Sequence, residues 1–220
     1  MFKFLLVLLL LLPLFSFSQL AMIELEEREV PEPGPDMAVV NWNRSQPDYE
    51  KLPGEAKQLL YWTNYARNNP QKFWDSAITP ILAIFPTLNR PEAISLKADL
   101  WKCGSLPMFT LNDILVGTAQ SHASDIGGKH APLGHNSTNG TDFGSRMKKA
   151  GIKNCANENI SLSGQTVLLS TILLFLDIGL PGLGHRKALL DPGLREIGVG
   201  SAVYGVDQYF LVQDLACLQK

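Results

Sequence analysis

Two histidines and two acidic residues in the second half of the chain lie in segments that could position them for chemistry. His135 lies in the Gly- and Asn-rich stretch PLGHNSTNG, and His185 lies in PGLGHRKALL, where a loop runs into a helix. Glu158 opens the strand-like segment ENISLS, and Asp177 ends a very apolar helical segment. Imidazole nitrogens and carboxylate oxygens bind zinc and other first-row metals, and they also act as general acids and bases. Their separation along the chain is too large for spacing alone to group them.

The sequence contains no other familiar catalytic or cofactor motif. It has no G-x-S-x-G, no H-E-x-x-H, no Walker loop, no dinucleotide-binding glycine pattern and no pair of cysteines at metal-ligand spacing. Ser137 lies two residues after His135, but a serine, a histidine and an acid in that order form no known nucleophile elbow. The lack of a nucleophile with its base favours a protein that performs no covalent chemistry.

The N-terminus has the pattern of an export signal. Lys3 supplies a positive charge, residues 4–15 are almost purely apolar, and the small residues Ser16 and Ser18 precede a potential cleavage site. The apolar run is too short for the roughly 20 residues of a membrane-spanning helix. We predict a cleaved signal peptide over residues 1–18, a protein that is secreted or periplasmic, and no stable membrane insertion once the signal is removed.

Composition and charge indicate one ordinary domain after this signal. The chain has 19 basic and 21 acidic residues, and it lacks the basic stripe expected of a protein that binds nucleic acid. Residues 19–52 include the acidic, Pro-rich stretch IELEEREVPEPGPD, which has no apolar period and buries too little surface to offset its ordering entropy. We therefore expect a leader or linker over residues 19–52 and one folded domain over residues 53–220.

The pattern along the domain changes from helices to a mixture with strands. Apolar residues at helical spacing predict helices in EAKQLLYWTNYARNN, PEAISLKADLWKCG, LNDILVGTAQSHASDIGG and QTVLLSTILLFLD. ENISLS, REIGVGSAVY and QYFLVQDLAC predict strands, and Gly205, Val206 and Asp207 predict a hairpin turn between the last two. This order of elements predicts an α+β fold in which helices pack over an antiparallel sheet.

Four segments resemble the bacterial branch of the CAP superfamily, the SCP-like extracellular domains named for cysteine-rich secretory proteins, antigen 5 and plant pathogenesis-related proteins. In chain order they are LGHNSTNGTDFGSRMKKAGI, NENISLSG, DIGLPGLGHRKALLDP and REIGVG. The repeated Ala and His in TAQSHASDI also resemble the long helix of that family. The order of the four segments is more specific than any one of them, and the resemblance runs from about Pro53 to Cys217.

The resemblance implies a three-layer α-β-α sandwich with an antiparallel central sheet and an open central cavity. In that family two histidines and two acidic residues typically line the cavity, and position by position they correspond to His135, Glu158, Asp177 and His185. Such a set implies a bound divalent metal, which we expect to be zinc. Asp177 departs from the commoner glutamate, and its shorter side chain could draw the carboxylate back from a shared metal.

Each of these four residues also has an ordinary structural interpretation. His135 could be a hydrogen-bonding loop residue, and Glu158 could form a salt bridge at the start of a strand. Asp177 could cap the end of a helix, and His185 could be a solvent-facing residue in a first helical turn. The neighbouring Arg186 is expected on an exposed helix face.

The mature chain contains three cysteines, Cys103, Cys155 and Cys217. Export permits a disulfide, and an odd count leaves at least one thiol without a partner in the same chain. In the sandwich that the resemblance implies, Cys155 and Cys217 could be neighbours, and we predict a disulfide between them. Three free thiols are the alternative.

Three functions agree with these features. The first is a secreted, non-catalytic module whose cavity binds a divalent metal and whose groove binds a small apolar ligand or a protein partner; some branches of the family are linked to sterol or lipid binding. The second is a metal-dependent extracellular hydrolase, a protease or an esterase, in which the same four residues activate a water. The third is a structural envelope protein. We favour the first, and the sequence predicts neither the ligand nor the oligomeric state.

Overall fold

The structure is a computed structural model that describes residue 23 and residues 25–219. The signal peptide predicted over residues 1–18 lies outside the described residues. None of the helices within the described part of the chain combines the length and the apolar character needed to cross a membrane. The helices are Met37–Arg44 (α1), Gly54–Asn68 (α2), Pro70–Phe73 (α3), Thr79–Ile84 (α4), Pro91–Cys103 (α5), Asp113–Gly127 (α6), Phe143–Ala150 (α7), Val167–Leu176 (α8) and Gly184–Leu190 (α9). The strands are Thr110–Leu111 (β1), Ala156–Ser163 (β2), Glu196–Gly205 (β3) and Gln208–Ala216 (β4).

These strands form one mixed sheet in the order β1-β3-β4-β2. The predicted hairpin is confirmed, since β3 and β4 pair antiparallel and only Val206 and Asp207 separate them. β2 pairs antiparallel with β4, whereas β1 pairs parallel with β3. The α+β class is therefore confirmed, but the expectation of a purely antiparallel sheet is wrong. The parallel strand was missed because its two residues are too few to show the alternation that marks a strand.

Helices cover both faces of this sheet, as the alternation of residues along β3 shows. Gly198 and Gly200 lie directly against α6, and a Cβ atom built on Gly198 would lie 1.9 Å from the backbone carbon of Leu115. Ile197 and Val199 point to the other face and are fully buried in the main core, which also contains side chains of α2 and α8. The α6 layer thus touches the sheet backbone itself, while the α2 and α8 layer packs through side chains.

The segment predicted as an unpacked leader contains a short helix, α1. Its N-cap is Asp36, whose side chain accepts a hydrogen bond from a backbone N–H of the first turn. Val39 and Asn43 are buried, and the indole of Trp42 donates to the backbone oxygen of Phe109 at 2.9 Å. α1 follows the stretch IELEEREVPEPGPD, for which little burial was expected, and it packs because these three side chains share one helical face. Eight residues between prolines are too few for that face to stand out in the sequence.

A disulfide joins Cys155 to Cys217, which confirms the predicted pair. Their Cα atoms lie 5.4 Å apart, and the bond ties the start of β2 to the end of β4 across 62 residues of chain. A loop of this length corresponds to about 4 kcal/mol of stabilisation in the chain-entropy treatment of disulfides. Cys103 is a half-buried free thiol, and burial raises the pKa of that thiol.

A fully buried arginine in α2, Arg67, holds the backbone segments that precede β1 and β3. Its guanidinium donates to the backbone oxygens of Pro107, Leu189, Asp191 and Leu194 at 2.8–3.1 Å. Burial lowers the pKa of Arg67 to about 10, so the side chain still carries its charge at neutral pH. Because two of the acceptors end α9 or follow it, this residue fixes the C-terminal end of the helix that begins at Gly184.

The close contact of α6 with β3 makes Gly198→Ala strongly destabilising. A methyl group has no space there, so the helix and the strand must separate, and we expect a loss of at least about 2–3 kcal/mol in the free energy of unfolding. Gly117→Ala on the exposed face of α6 is the matched control, since a Cβ atom there meets nothing within 4 Å. The control should be neutral or stabilising by up to about 1 kcal/mol. Urea unfolding measures both, and equal stabilities of the two variants would contradict the contact.

Candidate functional site

The four predicted site residues are grouped by the structure as two histidine–carboxylate pairs. The Nδ1 atom of His135 lies 2.9 Å from Oε1 of Glu158. The Nδ1 atom of His185 lies 2.6 Å from Oδ1 of Asp177. In both pairs the carboxylate fixes the orientation of the ring through Nδ1, which leaves Nε2 as the ring nitrogen available to another partner.

The Asp177–His185 pair is formed where two short helices meet. Asp177 directly follows α8, adopts a left-handed backbone conformation with φ 54°, and is fully buried. Its second oxygen, Oδ2, accepts the backbone N–H of Arg186 at 2.9 Å. A carboxylate at the end of a helix opposes the helix dipole, and here the first turn of α9 supplies the compensating N–H group.

Arg186 is buried, and the expectation that it lies on an exposed helix face is wrong. Only 1% of it is exposed, and its guanidinium donates to the backbone oxygens of Phe175, Leu176 and Glu92 at 2.7–2.8 Å. It also donates to the hydroxyl of Ser95 at 2.8 Å. The last carbonyl groups of α8 have no partner within the helix, so a buried arginine satisfies them. This contact fastens α9 to α8 and α5.

The Glu158–His135 pair is part of a buried polar cluster on the α6 side of β2. The side chain of Glu158 is 1% exposed and forms an ion pair with Arg146 of α7. Arg146 also donates to the backbone oxygen of His135 at 2.6 Å, so one arginine holds both members of the pair. Burial opposes ionisation of Glu158, but the His135 hydrogen bond and the Arg146 charge outweigh it, and the pKa of Glu158 is lowered.

Asp214 of β4 lies opposite Glu158 in the sheet register and completes this cluster. It is fully buried, and its Oδ2 accepts a hydrogen bond from the Thr118 hydroxyl at 2.6 Å. Its Oδ1 has no hydrogen-bond partner among the described residues. Burial and the neighbouring charge of Glu158 raise the pKa of Asp214 to about 8. Asp214 is therefore protonated at neutral pH.

Sequence reasoning missed both Arg146 and Asp214. The signal for Asp214 was an acidic residue in an otherwise apolar strand, QYFLVQDLAC, but its position opposite Glu158 depends on the pairing of β2 with β4. Arg146 looked like one of several basic residues on the short helix FGSRMKKA. Neither role can be derived from local spacing.

The two pairs do not form a site for a metal ion held by all four residues. Within residue 23 and residues 25–219, no three His, Cys, Asp or Glu side chains come together in a group that could hold a metal. The carboxylate of Glu158 is used by His135 and Arg146, and that of Asp177 by His185 and a backbone N–H. As placed, the residues do not fit such an ion, and the four-ligand zinc site stays a prediction.

A groove with a cavity volume of about 750 Å³ lies beside His185. Its walls are formed by β2, by α8, by the turn between β3 and β4, and by residues near the N-terminus. His185 lines this groove, whereas His135 and Glu158 are not among its lining residues. Of the two pairs, the Asp177–His185 pair therefore contributes a side chain to this groove, and the His135–Glu158 pair does not.

Comparison with known proteins decides the family. The model of the cysteine-rich secretory protein family, CAP, matches residues 102–215. The chain belongs to the CAP family. That match includes both pairs, and it confirms the resemblance on which the site prediction depends. No curated protein matches this CAP chain at a significant level.

Solved structures similar to this CAP protein come from several bacteria. An extracellular protein with an SCP domain from Bacillus anthracis has 20% identity and a TM-score of 0.45, over 79% of this chain and 44% of that chain. An outer surface protein from Borrelia burgdorferi has 19% identity and a TM-score of 0.43, over 52% of this chain and 80% of that chain. A cysteine-rich secretory protein from Staphylococcus aureus has 17% identity and a TM-score of 0.34, over 57% of this chain and 38% of that chain. The chain thus spans less than half the length of the Bacillus and Staphylococcus proteins.

The proton that Asp214 holds at neutral pH should be visible in the pH dependence of stability. The pKa of Asp214 is about 8 in the folded chain and about 3.9 when unfolded. Between these values the folded state holds the extra proton, so the free energy of unfolding falls as pH rises, by up to about 1.4 kcal/mol per pH unit. Asp214→Asn, which keeps a hydrogen-bond donor towards Glu158, should remove this slope and be more stable at pH 8. Urea unfolding from pH 5 to 8 measures both, and parallel curves for the two proteins would contradict the assignment.

Proposed function

We propose that the protein is exported and acts as a non-catalytic binding module whose ligand lies in the groove beside His185. Export is supported by the N-terminal signal pattern and by the Cys155–Cys217 disulfide, a bond that persists in oxidising compartments. The named similar structures include an extracellular protein and an outer surface protein, which agrees with this location. CAP membership accounts for the fold, and the groove is the ligand site of this proposal.

The observation that carries the proposal is the groove itself. Its volume lies in the range of about 300–1,000 Å³ that is typical of small-molecule sites, and such sites combine apolar walls with a few polar groups. Leu169, Leu173 and Leu174 of α8 provide an apolar wall. The polar part of the lining includes His185 and Gln208 and the acidic residues Glu27 and Asp207. The ring of His185 is already oriented by Asp177, so it can accept or donate one hydrogen bond without rearrangement.

The second candidate is a hydrolase, and one observation favours it. A carboxylate-oriented imidazole whose Nε2 is free is the arrangement of a general base, and Asp177 and His185 supply it at the groove. The hydroxyl of Ser161 is buried in the same region without a hydrogen-bond partner among the described residues. Turnover of a panel of esters and peptides by the purified protein, lost in His185→Ala, would establish this activity and overturn the non-catalytic proposal.

Binding of cis-parinaric acid, a fluorescent fatty acid, tests the groove as a general apolar site. The mature chain should bind the probe saturably, and Leu173→Asp should weaken binding at least about tenfold because it places a charge in the apolar wall. His185→Ala should retain binding, since the apolar contacts remain. Ile94→Asp is the matched control, because Ile94 on α5 is 72% exposed and lies outside the groove. Equal affinities of Leu173→Asp and Ile94→Asp would contradict the proposal.

Zinc titration of the mature chain tests the metal prediction separately. A single ion held by both histidines would be lost in the His135→Ala/His185→Ala double variant and strongly weakened in each single variant. The separation into two pairs instead predicts that wild type binds no zinc at micromolar concentration. Isothermal titration calorimetry decides between these outcomes, and stoichiometric tight binding by wild type alone would show that the two pairs can converge on one metal.

A further inference from the structure

One wall of the groove is the free edge of a β-strand. β2 is the last strand on its side of the described sheet, and its only strand partner there is β4. The pairing runs without interruption from Ala156↔Ala216 to Ser163↔Tyr209. Within the described residues, no hydrogen bond joins a backbone N–H or C=O of β2 to any group outside β4. Every second residue of β2 therefore presents an unpaired donor and acceptor along its outer edge.

This edge lacks several of the features that protect natural edge strands. Such strands are blocked by lysine, by proline, by a bulge, by shortness, by inward-pointing charges or by a covering helix or loop. The sequence of β2, ANENISLS, has neither lysine nor proline, its eight residues are longer than a typical protected edge, and its register with β4 has no bulge. The middle of the strand, Ile160, Ser161 and Leu162, lines the groove. Glu158 is an inward-pointing charge, and Glu158, Asn159 and Ile160 are buried. The part of the edge that borders the groove and is not buried is therefore at Ser161 and Leu162.

Backbone near the N-terminus already packs at the rim of the groove. The side-chain amide of Gln165 donates to the backbone oxygen of Glu26 at 2.9 Å and accepts the backbone N–H of Arg28 at 3.2 Å. Ile23 and Leu25 of the same segment line the groove. Polar groups at this rim therefore recognise main-chain amides, and apolar side chains at alternate positions fit the adjacent wall.

We propose that the groove binds an extended peptide segment, which adds to the free edge of β2 as a further strand. The proposal rests on the proposed function, because it takes the groove as the ligand site and names the class of its ligand. A peptide backbone is the ligand that can satisfy a row of alternating N–H and C=O groups, as in other complexes formed by strand addition. A fatty acyl chain fills apolar space but leaves that row unpaired.

The geometry of β2 also sets the side-chain pattern of the ligand. Along β2, Ile160 points to the α6 side, while Asn159 on the other face bonds Gln213, which in turn bonds Thr63 of α2. An added strand has the same alternation, so every second side chain points towards the α8 layer. There Leu169 and Leu173 favour apolar residues. The ligand is therefore an extended segment with apolar residues at every second position.

Fluorescence anisotropy with a defined peptide tests the proposal in the mature chain. The probe is fluorescein-labelled Lys-Val-Thr-Val-Thr-Val-Thr-Lys, in which the valine and threonine N–H groups lie on opposite edges of the extended chain. Two control peptides carry N-methyl groups on all valines or on all threonines. Strand addition uses one edge only, so one control should lose binding at least about tenfold while the other binds within about threefold of the parent. Equal binding of both controls would overturn the proposal.

Hydrogen exchange locates the bound peptide. Saturating peptide should slow amide exchange in residues 156–163 and leave α5 unchanged, and Leu173→Asp should bind the peptide more weakly than Ile94→Asp. Binding without protection of residues 156–163 would overturn strand addition. If cis-parinaric acid binds and the peptide does not, this inference falls while the proposed function stands. If neither probe binds, both fall.

Discussion

The contact between α6 and β3 is the constraint on which the other parts of the structure depend. Gly198 and Gly200 bring the strand against the helix backbone at Leu115 and Ala119, with no side chain between them. This close approach of the helix to the strand lets the Thr118 hydroxyl reach Asp214 on the neighbouring strand β4. One turn further along α6, the ring of His122 bonds the backbone oxygen of Gly134 at 3.0 Å. The residue before His135 is thereby held to α6, which places His135 beside Glu158.

The second pair depends on buried arginines rather than on glycines. Arg186 bonds the carbonyl groups at the end of α8, and Arg67 bonds those at the end of α9. A buried charge is costly unless hydrogen bonds satisfy it, and in both cases backbone oxygens do so. Along the chain, His185 lies between these two fixed points. Its orientation towards the groove therefore follows from the backbone that the arginines hold, and Asp177 adds the final constraint on the ring.

The sequence predicts those features of the fold that repeat over many residues. The long helices, the hairpin of β3 and β4, and the histidine and acidic positions within the CAP motifs all have local patterns. β1 and α1 were missed because two and eight residues are too short to show a period. The burial of Arg186 and the pairing of Asp214 with Glu158 depend on contacts between elements distant in the chain. For the same reason, the motifs point to His135 and His185 but do not predict that these two residues belong to separate pairs.

The imidazole NMR spectrum of the mature chain tests most directly whether the groove is the ligand site and the two pairs are independent. The chain is labelled with nitrogen-15 in its histidines, and the signals are assigned with His135→Ala and His185→Ala. Titration with cis-parinaric acid should shift the Nε2 resonance of His185 and leave that of His135 in place, because only His185 lines the groove. Equal shifts of both histidines, or no shift of His185 at saturation, would contradict this account.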